Sequence, residues 1–68
     1  MEKQVYNRIK AVLAENGKTN NWLADELNMN ITTVSKWCRN DMQPTIETLF
    51  QIAKVLEIDC RKLLVTTK

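Results

Sequence analysis

Histidine is absent from these 68 residues, and glycine and proline occur once each. The missing histidine removes the commonest general base and a frequent metal ligand. With Cys38 and Cys60 as the only thiols, the chain lacks the four Cys or His ligands that structural zinc takes. A single Gly and a single Pro argue against the many tight turns of a small β-barrel. No run of about 20 apolar residues is present, and Met1-Glu2-Lys3-Gln4 does not open a signal peptide. There is no Gly-rich phosphate loop, and the acids Asp25-Glu26 and Glu57…Asp59 read as solvated helix ends rather than a catalytic pair. The expectation is a soluble, cytoplasmic protein with reduced thiols. Neither enzymatic activity nor a metal, cofactor, membrane span or small-molecule ligand is expected.

What is present is a helix-permissive composition, 44% apolar. One domain, residues 1–68, is the natural unit, because a chain this short buries only about 60% of the surface its unfolded form exposes. The net charge is +2, a weak lean towards anionic partners. Residues 1–40 carry six Lys/Arg against four acids, whereas residues 41–68 carry four of each. Any basic face therefore belongs to the first half.

Apolar spacing divides the chain into five helices and no strand. Val5, Ile9, Val12 and Leu13 predict a first helix over residues 2–15, with Lys3 and Lys10 outside and Gly17 as its left-handed cap. Thr19 caps a second helix lined by Leu23, Ala24 and Leu27. Asn28 then suits a left-handed backbone, Met29 is expected to be buried, and Asn30 caps a third helix over residues 31–39. On that helix Val34, Trp37 and Cys38 share one face, with Cys38 a small core filler. Thr32, Ser35, Lys36 and Arg39 share the other. Asn40 again suits a left-handed cap. Pro44 closes a loop, and Thr45 caps a fourth helix whose buried stripe is Ile46, Leu49, Phe50, Ala53 and Leu56. Asp59 caps a last short helix ending in Leu63, Leu64 and Val65, before a frayed end.

The second and third helices, about residues 20–39, joined by a three-residue corner, have the form of a helix-turn-helix. Ala24 is small where the helices must cross, and Asn28 accepts positive φ. Leu23, Leu27, Met29, Val34 and Trp37 supply the apolar contacts.

Over residues 7–64 the chain resembles the phage-repressor/Cro (Xre-like) family of five-helix DNA-binding domains. The stretch "PTIETLFQIAKVLEI" is close to that family's fourth-helix signature. The resemblance implies a third helix in the major groove of double-stranded DNA, with Ile31, Thr32, Thr33 and Lys36 reading bases. It further implies phosphate contacts from Asn20, Ser35, Arg39 and Asn40. Four positions depart from the family pattern. Asn28 and Asn40 stand where glycines are usual, Ile31 where a polar reader is frequent, and Trp22 where the residue is usually polar. The family often pairs through its last helices, so a homodimer through about residues 57–66 is expected, with Ile58, Leu63, Leu64 and Val65 at the interface. The function implied is a small transcriptional regulator on a palindromic operator. The alternative is an antitoxin that binds a protein partner, with the Trp22 surface as one candidate contact.

Overall fold

In the computed structural model, which describes residues 4–66, the chain runs through α1 (Ile9–Glu15), α2 (Asn20–Leu27), α3 (Ile31–Cys38) and α4 (Ile46–Leu56). A single 3-10 turn, Cys60–Leu63, follows. The fold is all-α, but the expected fifth α-helix is this 3-10 turn. Residues 2 and 3 of the expected first helix, and the end beyond Thr66, lie outside the described residues.

Local side-chain chemistry fixes where these elements start. Thr19 Oγ1 accepts from the Trp22 amide at 3.1 Å, and Asn30 Oδ1 from the Thr32 amide at 2.7 Å. Thr45 Oγ1 accepts from the Thr48 amide at 3.1 Å, and Asp59 Oδ1 from the Arg61 amide at 2.8 Å. Each bond satisfies one of the amides that a helix leaves orphaned at its first turn.

All four α-helices end on one device. Gly17, Asn28, Asn40 and Glu57 take φ of 67°, 54°, 60° and 56°. The amide one residue further on then reaches back into the last turn. Lys18 donates to the Leu13 carbonyl at 2.8 Å, Met29 to Ala24 at 2.9 Å, Asp41 to Lys36 at 2.9 Å and Ile58 to Ala53 at 3.0 Å. These bonds satisfy carbonyls that the helix cannot. Glu57 was not expected there, because a long side chain resists the left-handed region.

The core is built from Ile9, Val12 and Leu13 of α1, Leu23 and Ala24 of α2, and Val34, Trp37 and Cys38 of α3. Leu49, Ile52, Ala53 and Leu56 of α4 and Leu63 of the 3-10 turn complete it. The pair α2–α3 packs together, α4 backs onto α2 and the 3-10 turn, and α1 closes against α3 and that turn. A domain this size holds roughly 3–10 kcal/mol of net stability. Truncating one fully buried leucine costs about 2–5 kcal/mol, so the core tolerates little loss.

Three expectations fail here, each for a tertiary reason. Val5 is exposed, because residues 4–8 are not helical. Arg8 donates its amide to the Leu63 carbonyl at 2.8 Å, and Val65 donates to the Tyr6 carbonyl at 3.0 Å. Asn7 and Leu64 stand opposite each other in an isolated antiparallel bridge. The first segment thus pairs with the last. Its hydrogen bonds go across the molecule instead of along a helix.

On α4 the buried face is Leu49, Ile52, Ala53 and Leu56. Phe50 lies about 100° round the helix from Leu49, and Ile46 sits at the end that overhangs the core. They are 63% and 67% exposed, and Ile52 takes the buried place the stripe had given to Phe50. Met29 is also exposed. The corner turns on the backbone of Asn28 and the caps, without an apolar plug.

Candidate nucleic-acid interface

The corner between α2 and α3 is defined atom by atom. Asn28 is left-handed, and its amide bonds to the Asp25 carbonyl at 3.2 Å. Asn30 returns to an extended backbone (φ −70°, ψ 135°) and caps α3. Helix α3 therefore leaves the corner with its inner face, Val34, Trp37 and Cys38, buried in the core. Its opposite face is consequently turned out. Ile31 is 39% exposed, and Thr32 and Arg39 are exposed. Thr33, Ser35 and Lys36 are half-buried.

Of the remaining motif positions, Leu23 and Ala24 are buried, and Leu27 packs half-buried against the core. Trp22 does the same, with the Lys18 ammonium 4.8 Å from its ring centroid. This cation–π contact covers one ring face.

Two expected phosphate residues are engaged within the protein. Cys38 donates its thiol to Asn20 Oδ1 at 3.3 Å, tying the first residue of α2 to the last of α3. Burial raises the Cys38 thiol above its ordinary value, so it stays protonated and able to donate. Asn20 keeps its Nδ2 as a donor. Arg39 pairs through Nε with Asp41 at 2.9 Å in an exposed bridge. Such surface pairs are worth little, so this one does not lock the guanidinium away from an anion.

Asn40 is different. Its side chain bonds to the backbone of Tyr6 and Asn7 and to Gln43. The Asn40 carboxamide, expected at a phosphate, is thus engaged inside the protein. Leu63, expected at a dimer surface, has no exposed area (0%) and belongs to the core. Ile58 and Val65 are half-buried, and Leu64 is exposed. Sequence reasoning also missed Asn7 and Gln43. No local pattern marks them, because Asn7 meets Trp37 and Gln43 only across the fold.

Fold and corner define a helix-turn-helix domain with an outward polar and basic helix. A helix-turn-helix family model matches residues 9–63, and the chain belongs to that family. It is similar to the crystal structure of a candidate DNA-binding protein from Bacteroides fragilis. The two share 44% identity with a TM-score of 0.85, over 87% of this chain and 95% of that one. No curated protein matches it. Family membership and this neighbour support DNA binding. Among the described residues, no helix is long and apolar enough to cross a membrane.

Proposed function

We propose that the chain is a sequence-specific double-stranded DNA-binding protein acting as a small transcriptional regulator. The observation that carries this reading is the outward row Ile31, Thr32, Thr33 and Lys36, on a helix fixed by the Asn28–Asn30 corner. In the major groove, Ile31 and the threonine methyls suit thymine methyl groups, and Lys36 suits the guanine acceptors. Ser35, Arg39 and the Asn20 amide suit the flanking phosphates, together with the free amides at the start of α2.

The domain measures 32 × 24 × 23 Å. One copy thus spans about one helical turn of duplex, roughly 34 Å, and makes few phosphate contacts. A two-fold dimer on a palindromic operator doubles those contacts. Ile58, Leu64 and Val65 form its interface, with Leu63 now assigned to the core. The unit is the whole chain, residues 1–68, with the dimer region at about residues 57–66.

The antitoxin reading instead requires a protein partner. It is the weaker one, since Trp22 is packed beneath Lys18. Selection of duplexes from a random pool tests the proposal. Enrichment of paired half-sites about one turn apart supports a dimer that reads sequence. Absence of enrichment rejects it.

A further inference from the structure

Among the described residues, Asn7 is the single buried polar side chain, 3% exposed. Its Nδ2 donates to the Trp37 carbonyl at 3.0 Å and to Gln43 Oε1 at 2.8 Å, and its Oδ1 accepts from the Ile9 amide at 3.0 Å. Asn40 completes the joint from the other side. Its Oδ1 accepts from the amides of Tyr6 at 2.9 Å and Asn7 at 3.0 Å, and from Gln43 Nε2 at 3.1 Å. Its Nδ2 donates to the Asn7 carbonyl at 3.2 Å. The Asn40 carboxamide thus imitates a neighbouring strand for residues 6 and 7, whose next partner is the Leu63–Val65 segment.

Trp37 lies in the last turn of α3, so this joint grips the far end of the helix whose near end is set by the Asn28–Asn30 corner. The Asn7 bonds to Trp37 and Ile9 are buried and those of the half-buried Asn40 lie towards the surface, so at Asn7 any shift leaves a buried donor or acceptor unpaired, and the joint favours one arrangement. We infer that Asn7 and Asn40 are positioning residues for DNA reading: through the Trp37 carbonyl and the terminal segment they hold α3 at the tilt its base contacts require, and neither touches DNA. The inference rests on the proposed DNA-binding function.

The test uses the full chain and two probes, a duplex enriched by the wild type from a random pool and an unrelated duplex of equal length. Binding to each is titrated by anisotropy at two salt concentrations. Asn40→Gly keeps the left-handed backbone but deletes the carboxamide. It should lower the preference for the enriched duplex about tenfold, within the cost of one mismatched base pair. Affinity for the unrelated duplex, its salt slope and the helical circular dichroism should stay unchanged. Asn40→Asp keeps the acceptor towards Tyr6 and Asn7 and should retain most of the preference. Equal losses of Asn40→Gly on both duplexes with a shallower salt slope would make Asn40 a phosphate contact and overturn the inference. An unaltered preference in Asn40→Gly would also overturn it, leaving the joint a purely structural feature. If the wild type itself enriches no duplex, the DNA-binding reading falls, and the positioning role falls with it.

Discussion

Asn28 and Asn40 occupy the same conformation, φ 54° and 60°, one before α3 and one after it. Their side chains do different things. Asn28 is exposed and serves through its backbone, which closes α2 and lets Asn30 start α3. Asn40 makes the same backbone turn, but its carboxamide also binds a segment 33 residues earlier in the chain. One asparagine is a local hinge and the other is a tertiary joint. A left-handed cap specifies where a helix stops. It takes a second set of bonds to specify how that helix lies on the rest of the molecule.

The largest effect expected from breaking this contrast is at Asn7. Asn7→Ala strips the buried Ile9 amide of its acceptor and the Trp37 carbonyl of one of two donors, the Asn40 amide at 3.0 Å remaining, and should cost about 2–4 kcal/mol in urea denaturation. Next come the two caps. Asn40→Ala should cost about 2–3 kcal/mol and Asn28→Ala only about 1 kcal/mol, since both strain the backbone but only the first cuts the network. Equal losses would erase the distinction drawn between them. Glycine sharpens it, because Asn28→Gly should be neutral or slightly stabilising.

The smallest effects belong to the last helix end and to the turn beyond it. Glu57→Gly should raise the melting temperature by the equivalent of about 0.5–1 kcal/mol, by relieving a left-handed backbone under a long side chain. The neighbouring Asp59 accepts hydrogen bonds from the Arg61 side chain and amide, which lower its pKa from 3.8 to about 2. A depressed carboxylate adds stability that is present above its unfolded value and lost as pH falls from about 4 to about 2. Asp59 is exposed, so the slope is shallow. In an acid titration monitored by circular dichroism, Asp59→Asn should remove that part of the slope. A slope identical to wild type would reject the assignment.

What was legible in the sequence follows the same division. Thr19, Asn30, Thr45 and Asp59 as starts, and Gly17, Asn28 and Asn40 as ends, could be read because each acts locally: the starts accept from amides two or three residues on, and the ends let the next amide reach a carbonyl five residues before it. The inner face of α3 was legible for the same reason, since helical spacing alone fixes it. Features that depend on distant pairing were not. Val5 matched the helical period of α1, yet its segment pairs with Leu63–Val65. Phe50 matched the period of α4 just as well as Ile52, but the core lies on one side of that helix. Leu63 looked surplus in a short last element, but its turn packs against α4 and α1 and the residue is completely buried. Asn40 was recognised as a cap from its residue type, while its role as a joint required knowing what faced it.

The dimer surface invites a similar comparison between two exposed apolar patches. Leu64 lies beside the paired termini, whereas Ile46 and Phe50 flank the start of α4. Sedimentation of Leu64→Asp and Phe50→Asp, each at tens of micromolar, separates them. The proposed interface predicts that only Leu64→Asp dissociates, and a monomer produced only by Phe50→Asp would move the interface to α4.

The central claim, that the outer face of α3 reads DNA, is tested most directly by the affinity of Lys36→Ala for the enriched and unrelated duplexes. The account predicts about tenfold weaker binding to the enriched duplex, a relaxed preference between the two, and an unchanged melting temperature. Wild-type affinity and wild-type preference in a folded Lys36→Ala protein would contradict it.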